Sequence, residues 1–332
     1  MIPAMATSID QTALAPATPG VADAGGSRRA PGGDALFRLL SLFTTLVIMA
    51  AVIGFVGSLI SGGWLAISHF GLSFFTTSTW DPVAGIYGAA GPIVGTLITA
   101  FIALALALAI AIGISVFLVE ICPQAIARWL AIAVELLAGI PSIVYGMWGL
   151  FVLAPWFSEN VQMPLMMSVT PGSWLDTLTQ GVPNGANIFT ASLVLTVMIL
   201  PFIAAMLREL LLSVPSHMRE AAYGLGCTKA EVVRRIMLPF VRKGVIGAAM
   251  LGLGRALGET MAVTFIIGNS HDFPSSLFAS GSTLSSTVAN EFTEATDDLH
   301  VSALIALGLV LFVITFVPII AGRLLIRNAE AK

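Results

Sequence analysis

The sequence predicts an all-α integral membrane protein with six transmembrane helices, and three observations carry that prediction. Hydrophobic residues make up 57% of the 332 positions and charged residues only 10%, far from the balance of a water-soluble domain. Six apolar runs are long enough to cross a bilayer, which takes about 20 residues of helix. The 15 Lys and Arg residues cluster on alternate sides of those runs, as the retention of basic residues on the cytoplasmic face requires.

Residues 1–35 are rich in Ala, Pro, Gly and Thr, carry Arg28 and Arg29, and lack the apolar core of a cleaved secretory signal. They are expected to form a disordered cytoplasmic tail. The spans follow near 36–62, 92–118, 128–157, 188–213, 241–268 and 300–325, so 36–332 reads as one six-helix membrane domain. In the third span, Pro141 after Gly139 predicts a kink, and Glu135 lies about two turns inside the cytoplasmic boundary, within snorkelling distance of it. The fifth span carries small residues at helical intervals, Gly244, Ala248 and Gly252 on one stripe and Gly254 and Gly258 on another. Such stripes let transmembrane helices pack backbone to backbone.

Orientation follows from the cations. Arg28, Arg29 and Arg38 precede or open the first span, Arg128 opens the third, Arg208 to Lys243 flank the loop between the fourth and fifth, and Arg323, Arg327 and Lys332 close the chain. Segments 63–91, 158–187 and 269–299 contain neither Lys nor Arg. Both termini and the 214–240 loop are therefore expected in the cytoplasm. The external segments carry Asp81, Glu159, Asp176, Asp272, Glu291, Glu294, Asp297 and Asp298. Such a face suits a docking protein lid better than a free anion.

Cys122 and Cys227 both fall on the cytoplasmic side without ligand-like neighbours, so neither a disulfide framework nor a zinc site is indicated. His69, His217, His271 and His300 are scattered over loops and span ends. No phosphate loop of the G-x-x-x-x-G-K-[ST] type occurs, so any ATP that drives the protein is bound by another chain. The remaining signals are two.

The first lies in the 214–240 loop, where Glu220, Ala221, Ala222, Gly226, Ile236, Leu238 and Pro239 stand in the spacing Glu-Ala-Ala, three residues, Gly, nine residues, Ile-x-Leu-Pro. Gly226 is a natural left-handed cap that ends a short helix. Thr228 with Glu231 reads as a capping box that starts a second helix, which is expected to halt before Pro239. Two helices then meet at a sharp corner, where the small Ala221, Ala222 and Gly226 allow a partner close approach. The basic Arg219, Lys229, Arg234, Arg235, Arg242 and Lys243 hold the segment in the cytoplasm.

The second signal is Arg255, roughly 20 Å of helix from the start of the fifth span at 1.5 Å per residue, with Glu259 expected one turn on and on the same face. A central Arg costs about 2.5–3.5 kcal/mol to insert and normally faces a bundle interior or an aqueous path. A packing salt bridge would explain the pair, but Arg before Glu is the weaker helical order. A pair kept only for packing could also be replaced by apolar residues at little loss. The alternative is an anion site in which the guanidinium fork grips a tetrahedral oxyanion. Glu259 would accept a proton-borne hydrogen bond from phosphate and repel sulfate, which has no proton to donate at neutral pH.

The 214–240 spacing resembles the "EAA" loop of bacterial ABC import permeases. The stretches GLGRALGETMAV at 252–263, ELLAGIPSIVYGMWG at 135–149 and WDPVAGIYGAAGPIVGTL at 80–97 are similar to the phosphate-importing branch of that family. The similarity covers nearly everything from residue 36 onward. It implies the type I ABC importer permease fold with cytoplasmic coupling helices, in the bacterial inner membrane, and places Arg255 and Glu259 on the phosphate path. It also implies a second homologous phosphate permease, a dimer of ATPase subunits that binds ATP and Mg, and an external phosphate-binding protein. The chain itself is then a transport subunit, not an enzyme, with no cofactor and no nucleic-acid partner. The long N-terminal tail departs from a minimal member of the family.

Two other classes are disfavoured. An ion-coupled secondary transporter would show broken helices in inverted repeats and more intramembrane carboxylates. A membrane enzyme would need a nucleophile or metal set, and no Ser/His/Asp, H-E-x-x-H or Asp-pair constellation occurs. Within the ABC class, a sulfate, molybdate or phosphonate permease shares the same loop.

Overall fold

The computed structural model describes residues 31–170 and 172–328, which belong to two compact units dividing between Gly54 and Phe55. The tail expected over 1–35 lies outside the described residues as far as position 30. The remainder already belongs to helix α1, Pro31–Phe70, which starts on the one residue whose missing N–H costs a first turn nothing. The described part of the first unit, 31–54, is helical throughout.

In the second unit α1 ends at Gly71, whose φ of +57° admits a left-handed turn. A two-stranded hairpin follows, β1 Trp80–Asp81 against β2 Ile86–Tyr87, antiparallel. Helix α2, Ala90–Val116, closes in a π turn over Phe117–Ile121. Then come α3, Gln124–Ala138, and α4, Ser142–Trp148, the latter continuing in helical turns to residue 168. The central helix is α5, Ile188–Leu212, capped by the Asn187 side chain, which accepts the Thr190 N–H at 2.9 Å. Beyond it lie α6, Ser216–Gly224, α7, Lys229–Val232, α8, Leu238–Leu257, α9, Met261–Thr264, α10, Leu284–Glu291, and α11, Asp298–Asn328.

Among the described residues five helices are long and apolar enough to cross a membrane, or six if one bent pair counts as a single span. That pair corrects the third span, expected as one kinked helix over 128–157. Its two limbs, α3 and Ser142–Ser168, meet at 88°. Pro141 removes a helical donor and disfavours helical geometry at Ile140 before it. The Tyr145 hydroxyl donates to the Leu137 carbonyl at 2.8 Å, beside the Ile140 N–H at 3.3 Å, and so ties the second limb to the end of the first. The fifth span also differs. It was expected to run over 241–268, but α8 stops at Leu257 and only the four-residue α9 follows.

The core sits around α5. Ala100, Ala103, Ala107 and Ala111 of α2 are fully buried in the same cluster as Leu195, Ile199 and Ile203 of α5, so small side chains let those two backbones approach. The Ser115 hydroxyl donates to the Ala204 carbonyl at 2.9 Å across that contact. Helix α8 packs on α5 as well: a Cβ on its Gly244 or Gly252 would lie 2.5 Å from Leu210 or 2.6 Å from Ile203. The stripe foreseen at Gly244, Ala248 and Gly252 is thus a packing seam. Gly254 and Gly258 are not: their nearest neighbours stand 3.5 Å from an added Cβ, and Gly258 is exposed. The first-helix seam is separate. Ser302 of α11 donates to the Gly62 carbonyl at 2.7 Å and accepts the Ala66 N–H at 3.0 Å.

Candidate functional site

Arg255 lies in the last turn of α8, and its guanidinium sits 5.6 Å from the centre of the Phe202 ring on α5. Such a contact holds a cation over the electron-rich face of the ring. Phe202 is near the middle of α5, so Arg255 keeps the central depth expected of it although its own helix ends two residues later. The side chain remains exposed within the chain.

Glu259 does not share a helix face with Arg255, as its spacing suggested. With α8 ended at Leu257 and Gly258 at φ −89°, ψ 0°, the carboxylate turns toward the next helix. Its Oε1 accepts the Ala262 N–H at 3.2 Å, and its backbone carbonyl accepts the Ser285 hydroxyl at 2.7 Å. Among the described residues the two charges form no ion pair. Ser285 and Phe202 were invisible to sequence reasoning. The one available signal for Ser285 was its place in a Ser/Thr-rich run, 282–287, inside an apolar chain.

Below Arg255 a groove of about 630 Å³ opens between α5 and α8. Met206 and Leu251 line it, and each stands one helical turn from Phe202 or Arg255 toward the α6 end of the bundle. Glu135 of α3 and Glu209 of α5 also line it. The groove is mostly apolar, begins about one turn from Arg255 and carries two carboxylates. Glu209 is held by its neighbour Arg208 at 2.6 Å.

At the α6 end the chain makes the corner. Helix α6 closes with the Gly226 N–H on the Tyr223 carbonyl at 2.9 Å and the Cys227 N–H on the Ala222 carbonyl at 3.1 Å, with Gly226 at φ +85°. That is the paired-bond helix stop that glycine permits. Thr228 then caps α7, its hydroxyl accepting the Glu231 N–H at 3.4 Å while Glu231 Oε2 accepts the Thr228 N–H at 3.0 Å. The Thr228 N–H, and after it the Thr228 hydroxyl, which also lies 3.0 Å from Oε2, hold the Glu231 carboxyl below its usual range.

Pro239 does not halt this helix. A π turn over Val233–Met237 leads straight into α8, where Pro239 occupies the first turn. The wider turn leaves carbonyls without partners in that stretch, so a proline without an N–H fits there. The motif residues divide by exposure. Glu220, Ala221, Gly226 and Pro239 face outward, while Ala222 is buried and Ile236 and Leu238 pack with it in a small apolar cluster with Val232 and Met237. Ala222 thus serves the fold and Ala221 the surface. Sequence reasoning missed Leu225, whose side chain is 85% exposed beside Gly226.

Residues 123–330 match the family described as binding-protein-dependent transport system inner membrane component. The chain is 47% identical over 300 residues to the phosphate transport system permease protein PstC of Mesorhizobium japonicum, covering 90% of this chain and 91% of that one. It is 49% identical over 297 residues to the protein of the same name in Haemophilus influenzae, covering 90% and 94%. Among solved structures, a bacterial alginate ABC transporter in complex with its periplasmic protein aligns with a TM-score of 0.58 at 14% identity, over 90% of this chain and 97% of that one. The MetNI methionine ABC transporter aligns at 0.55 and 19% identity, over 75% and 99%.

Proposed function

The chain belongs to the binding-protein-dependent transport system inner membrane components, and on that premise we propose that it is the permease subunit through which an ATP-driven importer carries inorganic phosphate across the bacterial inner membrane. The observation that carries this reading is the identity to phosphate permeases along nine-tenths of the chain. The geometry supports it. Arg255 is free of Glu259, rests on an aromatic face and stands one turn from an open groove, which suits a donor fork waiting for an oxyanion. Glu259 uses one carboxylate oxygen on Ala262 and keeps the other as an acceptor. A protonated phosphate can donate to that oxygen, whereas sulfate meets only repulsion.

The partners follow from the same reading. A second, homologous phosphate permease completes the path, an ATPase dimer binds ATP and Mg, and an external phosphate-binding protein delivers the anion. Glu220, Ala221, Gly226 and Pro239 present the corner to the ATPase, with Ala222, Ile236 and Leu238 shaping it from within. Both termini and the corner lie in the cytoplasm, and the acidic hairpin end faces outward.

The test is uptake by the complete importer in proteoliposomes. Phosphate should be carried on addition of ATP and the binding protein, and excess sulfate, molybdate or phosphonate should not compete. Competition by one of them at equal concentration would reassign the substrate. With the native cysteines replaced, cysteines introduced near Asp81 and Asp297 should label from outside and one near Lys229 should not. Outside labelling at Lys229 would invert the orientation.

A further inference from the structure

Glu120 lies on the π turn that closes α2, about a hundred residues from the corner, yet three corner side chains converge on it. The Tyr223 hydroxyl donates to its Oε1. The Arg219 Nη1 stands 3.6 Å from its Oε2. Lys229 Nζ donates to its backbone carbonyl at 3.2 Å. Arg219 and Tyr223 belong to α6 and Lys229 opens α7, so a single residue of α2 holds both sides of the Gly226 turn. The Glu120 side chain is only 8% exposed. The Tyr223 hydroxyl is pushed up to about 12, chiefly by burial and then by its bond to Glu120, so it stays a donor at any physiological pH.

Corner and bundle are joined in two other ways. Helices α5 and α8 run into the corner through the backbone, and Val116 and Val119 at the end of α2 touch its apolar cluster. Helix α2 has no covalent link there. Apolar contacts let one surface slide over another, whereas a charge-assisted, directional set of bonds fixes register. Through its long contact with α5, α2 can carry a motion of the corner into the bundle.

We propose that Glu120 is a positioning residue for energy coupling, a latch that makes α2 move with the corner when the ATPase displaces it. This rests on reading the corner as the ATPase contact. Without the latch, the corner would pivot on 213–215 and on the π turn while α2 stayed behind, and hydrolysis would no longer reshape the groove under Arg255.

The complete importer in proteoliposomes reads this as phosphate carried per ATP hydrolysed. Glu120→Ala should lower that ratio about fivefold with the KM for phosphate unchanged. Glu120→Gln keeps an acceptor for Tyr223 and should restore most of the ratio, while Tyr223→Phe, which removes only the hydroxyl, should lower it about twofold. A wild-type ratio in Glu120→Ala overturns the latch. So does a changed KM at an unchanged ratio. Should Glu120→Ala fail to assemble, a wild-type ratio in Tyr223→Phe overturns it in its place. A wild-type importer that couples hydrolysis to a different oxyanion overturns the phosphate reading alone, and the latch is then judged on the ratio for that anion.

Discussion

The corner at Gly226 and the break at Glu259 each interrupt a helix for a few residues, but different parts of the chain hold them. At the corner the backbone and capping bonds of the turn itself join residues within five positions, Gly226 to Tyr223, Cys227 to Ala222 and Thr228 to Glu231, and Glu120 grips the turn from outside. At the break the local bonds are long, Gly258 to Gly254 at 3.3 Å, Glu259 to Ala256 at 3.4 Å and Ala262 to Glu259 at 3.2 Å. Its other supports come from Ser285 on α10 and Phe202 on α5. The break also has no proline and no residue at positive φ. A locally bonded turn can move as a rigid piece, which suits a surface pushed by another protein. A break held by separate helices changes shape when those helices shift, which suits a substrate site on a transport path. The contrast matches the roles proposed for the two regions.

The sharpest way to break this comparison is at Arg255. Arg255→Lys keeps the charge and loses the fork, and phosphate uptake should fall more than about tenfold while the importer still assembles. If Arg255→Met with Glu259→Leu leaves uptake near normal, the break is a packing device and the comparison fails. The corner comes next. Gly226→Val forces a β-branched residue to φ +85°, at a cost of about 1–3 kcal/mol. Hydrolysis should persist while uptake per ATP drops about fivefold. Unchanged coupling would mean the left-handed turn is dispensable.

Smaller changes sharpen the distinction. Ser285→Ala removes a long-range support of the break, one hydrogen bond of about 1 kcal/mol. It should lower phosphate uptake about twofold without altering protection of the corner amides from hydrogen exchange. Glu259→Gln should reduce phosphate uptake less than it raises sulfate uptake, because the repulsion is removed and an acceptor stays. The smallest effect is on pH. Since Glu231 is held below the ordinary carboxyl value of 4.5, its cap contributes above that value and is lost as pH falls through the lowered one. Exchange protection at the Thr228 amide, which donates to the Glu231 carboxylate, should therefore be steady from pH 7 to about 5 and decline in more acid solution. Loss of protection already at neutral pH would show that the cap does not hold the corner.

Much of this protein is legible in its residues because the forces involved are local. Apolar runs and the distribution of Lys and Arg depend on each segment's own transfer into lipid. The turn at the corner was legible, left-handed Gly226 and Thr228–Glu231 box included, since those bonds lie within one or two turns. The expected stop at Pro239 failed because a π turn accommodates a proline that α geometry would reject. Other features belong to the tertiary structure alone. That α8 ends at Leu257, that Glu259 turns from Arg255 toward Ala262, that the third span bends by 88°, that Ala222 faces inward and Ala221 outward, and that Glu120 gathers Arg219, Tyr223 and Lys229 all depend on partners brought together only by folding. Spacing along a helix predicts a shared face only while the helix continues, and contacts from distant segments decide where it ends.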